Sequence, residues 1–573
     1  MVKTAQKTSV LPISRENKNS FPEGFFFGEN GLNYLDPNSD SASPVFICSK
    51  LEITATTRDQ DGNNWGRVLE FDDLDGKRKR WVMPMEMLAG RGELLHRTLL
   101  NMGLNLNTSA KAKNLLAQYI QLCKPEKKSV CVDRIGWHEG CYVLPERTIG
   151  DTKGKEILLQ TAHPDSLGFK QAGTLADWQN HVSRFAVANS RLAFAISASF
   201  AAPLLEFFNV AGGGFHFRGE SSKGKTISLY TAGSVWGSHE RKQTWRATSN
   251  GLEETAHSHN NNILLIDELG QMESRDVGET VYMLANGQGK KRMTETKRKA
   301  WRVLFLSTGE IDLKTMMLEA GKITKAGQEV RFIDLEAVAG DLGVFDTLFK
   351  DFLCSADQAH HLERATNQYY GTAGIEFITQ FIDDKTESIE FLKRTQKAFI
   401  DEVEPEKANS QVKRVLNLFS MVASAGELAT AFNITGWQTG EAIQAAKKCF
   451  NSWLNNLCNV THSQEHHQAI ERVKAFIEKH GESRFTNLDA PDPMPTRDRA
   501  GFKKREDAGT VYYFLPSVFR NEVCKGLNMK TVKAALKIAD LLITGSDGKD
   551  ALKRVPEHKN PIRLVALSGS ILE

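Results

Sequence analysis

The residues best equipped for chemistry lie in the stretch 219–226, Gly219-Glu220-Ser221-Ser222-Lys223-Gly224-Lys225-Thr226, which fits the pattern GxxxxGK[ST]. In such a loop the glycines let backbone N–H groups close around phosphate oxygens, and the following helix presents its positive end to them. Lys225 would neutralise phosphate charge and Thr226 would offer its hydroxyl to Mg²⁺. Gly219, Ser221, Ser222 and Gly224 complete the set expected around ATP. A glycine-rich turn of no function can carry the same eight letters. Here, however, Phe215 and Phe217 precede the loop as a buried strand and residues 227–235 follow it as a helix, the order that phosphate binding requires. Next along the chain, residues 262–267 form an apolar run ending in Asp267 and Glu268. This reads as a buried parallel strand delivering two carboxylates at its carboxyl end, where open α/β sheets bind ligands. Asp267 would hold Mg²⁺ through water and Glu268 would polarise the attacking water. A third strand, residues 301–310, ends in Ser307 and Thr308, hydroxyls placed to sense a γ-phosphate from between the first two strand ends. A fourth, residues 328–335, carries Arg331 near its start.

These residues need a scaffold, and the pattern supplies one. Four strands in series separated by helical stretches predict a doubly wound α/β sheet. The apolar run 192–205, about fourteen residues, falls short of the roughly twenty that cross a bilayer and reads as a core helix under the phosphate-loop strand. At 573 residues the chain is too long for one core, and length alone suggests about three or four domains. Composition is that of a globular protein, 40% hydrophobic and 25% charged, without repeats or low-complexity tracts. A net charge of only +3 means that any nucleic-acid surface must be local. Eight scattered cysteines without CxxC spacing, and an N-terminus without an apolar leader, predict a reducing, cytoplasmic setting, no structural zinc and no membrane partner.

Residues 1–20 read as a flexible lead. Residues 21–175 predict a mixed α+β domain of strands and hairpins, with turns at Asp61-Gly62 and Asp75-Gly76 and a helical interval over 92–123. The basic run 77–80 reads as a solvated hairpin tip rather than a nucleic-acid contact. Residues 176–340 predict the nucleotide core. Between its second and third strands, Lys290, Lys291 and Arg292 open a basic segment, split around MTET, that suits a projecting hairpin touching DNA phosphates. Residues 341–460 are helical by periodicity and predict an α-helical lid, where Arg414 opens one helix and is either within reach of a nucleotide or, as is commoner, a surface arginine. In residues 461–573 the order helix, turn, basic helix, hairpin is that of a winged helix-turn-helix module, with Lys530, Lys533 and Lys537 on one helix face.

The segments WQNHVSRFAVANSRLAFAISASFAAPLL, GGGFHFRGESSKGKT, LLIDELGQ, LANGQGKKR, WRVLFLSTGE and GQEVRFID together resemble the family known as domain of unknown function 927, P-loop ATPases carried by phages, plasmids and integrative elements. That resemblance implies an AAA+ ATPase akin to the self-loading, MCM-like replicative helicases of staphylococcal cassette elements. On it, Lys225 and Thr226 belong to Walker A, Asp267 and Glu268 to Walker B, and Ser307 or Thr308 to sensor 1. Arg331 becomes the arginine finger for a neighbouring subunit of a hexameric ring, Lys290 to Arg292 a pore loop, and Arg414 a loose match to sensor 2. Sensor 1 is more usually Asn in such helicases, which leaves Ser307 and Thr308 as alternatives. No primase motif is present, so a primase would be a separate protein. The expectation is an ATP- and Mg²⁺-dependent DNA helicase or translocase. The alternative is an ATP-switched DNA-binding, helicase-loader or phage-defence protein that does not unwind DNA.

Overall fold

The computed structural model describes residues 21–38, 43–163, 167–291, 298–406, 408–457, 464–490, 496–506, 509–525, 527–545, 549–556, 558 and 560–572. It is a mixed α/β molecule with a parallel sheet near its middle. The first part is built of three small sheets. Antiparallel strands Leu51–Arg58, Gly66–Asp72 and Arg78–Pro84 form the largest, extended by Lys128–Val132 and Ile157–Leu159, which join parallel. Strand Leu51–Arg58 alternates buried and half-buried positions, as a sheet with one covered face demands. Helices Glu93–Asn101 and Ala110–Leu122 cover that face through Leu95, Leu99, Leu116 and Ile120. The turns at Gly62 and Gly76 take positive φ, 80° and 77°, as hairpin turns at Asp-Gly require. The basic run is spent internally: Arg78 pairs with Glu52 and Glu70, Lys79 with Asp73, and Arg80 with Glu70 and Glu156.

The central sheet has five parallel strands, in the spatial order Lys242–Thr244, Asn262–Asp267, Val303–Gly309, Gly213–Arg218 and Phe332–Glu336. The short outer strand Lys242–Thr244 is an addition to the four expected. Both faces are covered, so the inner strands are buried along nearly their whole length and mostly apolar up to their polar carboxyl ends. One face packs on helices Ser190–Ala201 and Lys225–Ser234, and the other on Val277–Asn286 and Leu313–Glu319. Every residue of Ser190–Ala201 is buried, and Phe194 meets Phe215 of the phosphate-loop strand edge to face at 4.8 Å. Among the described residues no helix is long and apolar enough to cross a membrane.

Five helices follow, Ser355–Gln368, Thr372–Asp383, Lys385–Val403, Ser410–Ala431 and Glu441–Asn455, and share the main core with the sheet. The last part pairs helix Gln464–His480 and helix Met529–Ile538 with a six-stranded sheet. The closing strand Ile562–Ser568 pairs with Leu542–Ile543, Ala551–Lys553 and Gly509–Phe514. Strand Gly501–Glu506 pairs antiparallel with Gly509–Phe514; the lysines and arginine of 503–505 disguise its alternation in the sequence.

Candidate nucleotide site

The phosphate loop leaves the carboxyl end of strand Gly213–Arg218 and enters helix Lys225–Ser234. Ser222 and Gly224 take positive φ, 61° and 86°, turning successive N–H groups toward one concavity, the geometry of an anion nest. Gly224 admits no side chain: a Cβ there would stand 2.6 Å from Val344 Cγ1. The ammonium of Lys225 donates to the carbonyls of Gly219 and Glu220, both at 2.7 Å, so it rests against the loop it serves. Ser221 and Ser222 are exposed and Thr226 is half-buried at the start of the helix. A segment that sequence reasoning missed holds the loop from outside. Residues 337–346 cross over it, with the Val344 N–H donating to Lys223 O at 2.9 Å and the Ala337 N–H to Arg218 O at 2.7 Å. Its only signal was a run of small residues, AVAG, after the last core strand.

The acids end a strand that is not the loop's neighbour. Val303–Gly309 lies between them, and its polar end therefore falls between loop and acids. Side chains alternate across a strand, so Ser307 and Thr308 face opposite ways. Thr308 stands on the acid side: its hydroxyl donates to Asp267 Oδ1 and accepts from the Glu268 N–H at 3.2 Å. Ser307 is fully buried on the other face. It accepts from Trp245 Nε1–H at 2.9 Å and bonds His216 Nδ1 at 2.9 Å, while His216 Nε2 meets the Ile311 carbonyl at 3.2 Å. Burial pushes the His216 imidazole down to about 3, so it is neutral. With Nε2–H given to a carbonyl, Nδ1 is left to accept from Ser307. Glu268 occupies the left-handed region, φ 59°, unusual for a residue with a side chain and characteristic of functional turns. Sequence reasoning also missed Lys242 on the added strand, whose ammonium lies 2.7 Å from Asp267 Oδ2. Burial works against that charge, but Asp267 outweighs it and holds the ammonium above its ordinary value.

The remaining expected residues lie elsewhere. Arg331 precedes strand Phe332–Glu336, and its carbonyl accepts from the Gly214 N–H. That is the amino end of the sheet, about five residues or roughly 16 Å of strand from the loop. Its guanidinium donates to Gly327 O at 2.9 Å and lies over Tyr282 at 5.3 Å. Arg414 is exposed on helix Ser410–Ala431, and no hydrogen bond or ion pair among the described residues joins it to the loop. Lys290 and Lys291 are exposed just beyond the Gln288–Ala300 bridge; Arg292 lies outside the described residues. In the last part, Lys530 and Lys537 are exposed, whereas Lys533 is half-buried and bonded to both oxygens of Asp550 at 2.6 and 2.8 Å. A cleft of about 750 Å³ bounded by Arg218, Asp334, Trp453 and Arg472 opens at the far edge strand and is separate from the loop and acids.

A parallel sheet with a glycine loop and helix after one strand, paired acids after another and a hydroxyl between them has the architecture of phosphate-loop nucleotide-binding proteins. Residues 25–299 match the family described as Domain of unknown function (DUF927). Its fold is shared with a solved structure described as "SCCmec type IV Cch - active helicase", 17% identical, with 96% of this chain and 98% of that chain covered at a TM-score of 0.69. NtrX from Brucella abortus in complex with ATP (12% identical, 61% and 67% covered) reaches a TM-score of only 0.18. The apo NrS-1 C-terminal region (10% identical, 65% and 87% covered) reaches 0.25. Neither of these two shares the fold of the whole chain. No curated protein matches it.

Proposed function

We propose that this chain is an ATP-dependent DNA helicase or translocase of a mobile genetic element, with an AAA+ core, an α-helical lid and a winged-helix-like tail. The observation that carries the reading is the gathering of Lys225, Asp267, Glu268 and Thr308 at one edge of one sheet, on a fold shared end to end with a helicase. The loop N–H groups and Lys225 bind the β- and γ-phosphates, and residues 337–346 keep the loop closed around them. Mg²⁺ suits the donors present: the Thr226 hydroxyl and the Asp267 carboxylate are hard oxygens, and Mg²⁺ needs few protein ligands because it keeps most of its water. Bound there, it would neutralise charge on the transferred phosphoryl group. Glu268 orients the attacking water, and Thr308 holds both acids in register. Ser307 is a structural hydroxyl in this reading, and Thr308 is the sensor.

Arg331 stands too far from its own loop to serve it, so its catalytic use requires a neighbouring copy. A closed ring, hexameric by the family resemblance, meets that need. The segment bearing Lys290 and Lys291 then contacts DNA, with Lys530 and Lys537 as a second basic surface; Lys533 has its charge taken by Asp550. A primase, where one is used, is a separate chain. The test is steady-state ATP hydrolysis with and without single-stranded DNA. DNA-stimulated turnover that disappears in Lys225→Ala supports the proposal, and turnover indifferent to both overturns it.

A further inference from the structure

The outer strand Lys242–Thr244 has a consequence for metal binding. The Lys242 ammonium lies 2.7 Å from Asp267 Oδ2, while the Thr308 hydroxyl occupies Oδ1. Both oxygens of the proposed metal carboxylate are therefore engaged, one of them by a full positive charge. Lys242 is also not a loose surface lysine. Its ammonium lies over the Tyr230 ring at 5.2 Å, and Tyr230 stacks on His239 at 3.8 Å and 10°. His239 Nε2 in turn meets the Thr366 hydroxyl at 2.8 Å on helix Ser355–Gln368. A chain of contacts thus runs from the helical region to the carboxylate and fixes where the charge sits.

We propose that Lys242 is a built-in competitor for Mg²⁺ at Asp267, so that the carboxylate accepts the metal's water shell only as the ammonium gives way. This rests on the nucleotide-site reading above. Without nucleotide the ammonium cancels the carboxylate's charge. With Mg²⁺ and nucleotide, a cation and a metal hydration shell contend for the same oxygen, and the ion pair is part of what metal binding must overcome. Lys242 is a positioning residue on this account: it touches neither nucleotide nor metal, and acts through Asp267.

The experiment measures affinity for a fluorescent ATP analogue against free Mg²⁺, in a Glu268→Gln background to hold hydrolysis aside. Wild type, Lys242→Met, Lys242→Gln and Lys242→Arg are compared. A partly exposed pair of this kind is worth up to about 1 kcal/mol, so the half-saturating Mg²⁺ concentration should fall by about fivefold in Lys242→Met and Lys242→Gln. It should stay near wild type in Lys242→Arg, and affinity measured in EDTA should be unchanged throughout. A merely structural role would move affinity in EDTA as much as in Mg²⁺, which overturns the inference. So does an unchanged or raised Mg²⁺ midpoint in both neutral variants. If the Lys242-bearing protein binds no nucleotide under any condition, the nucleotide-site reading falls, and this inference with it.

Discussion

Replacing Thr308 by Val keeps the shape of the side chain and removes only its hydroxyl. Two bonds go: the one it donates to Asp267 and the one it accepts from the Glu268 N–H. A hydrogen bond to a carboxylate is worth about 1.5–3 kcal/mol, and about 1.4 kcal/mol corresponds to a tenfold change in rate. If Thr308 holds the acids for the reaction, kcat for ATP should fall by about 10- to 100-fold. Affinity for the nucleotide, which the loop and Lys225 supply, should stay within about twofold of wild type. Ser307→Ala is the matched control on the opposite face of the same strand. It strips partners from buried Trp245 Nε1–H and His216 Nδ1, costing about 1–3 kcal/mol of stability and lowering the thermal midpoint, while kcat is retained. Single-turnover hydrolysis and a melting curve on both variants decide the matter. A Thr308→Val enzyme that turns over like wild type, or a Ser307→Ala enzyme that is stable but inactive, refutes the assignment.

Lys225→Ala should lose nucleotide binding outright, read by the same fluorescent analogue. Arg331→Ala should bind ATP but not hydrolyse it, and mixing it with Lys225→Ala should restore turnover, because a mixed interface pairs an intact loop with an intact arginine; no recovery on mixing argues against action in trans. Replacing Lys290 and Lys291 with Ala should weaken single-strand binding and reduce the salt slope by about 1.4, at roughly 0.7 for each phosphate that is no longer neutralised. Burial, outweighing Arg218, lifts Asp334 to about 6, so the folded protein keeps a proton that the unfolded chain releases near pH 4. That contribution to stability is full below about pH 4 and lost as pH rises through about 6, and Asp334→Asn should flatten the thermal midpoint over that window.

The strand–loop–helix order around residues 219–226 was legible because its glycines mark a tight turn, and Gly224 indeed faces Val344 with no room for a Cβ. The strand carrying Asp267 was equally plain, since a strand buried on both faces is an unbroken apolar run. Choosing between Ser307 and Thr308 needed the strand's facing, which adjacent hydroxyls do not reveal. Lys242 was hidden because a three-residue edge strand with charged and polar side chains carries no periodicity. The residues 337–346 were hidden because small residues crossing a loop look like any connector. The basic run near the N-terminus was read as a solvated hairpin tip, whereas Arg78, Lys79 and Arg80 lie at the start of a strand and pair with Glu52, Glu70, Asp73 and Glu156, partners that adjacent sequence does not reveal.

The most direct test of the central claim is strand separation on a forked DNA duplex, with wild type and Lys225→Ala compared in ATP and in a non-hydrolysable analogue. The account predicts unwinding by wild type in ATP alone, absent in the variant and in the analogue. Tight, ATP-dependent DNA binding without strand separation would contradict it and leave an ATP-switched DNA-binding assembly as the better description.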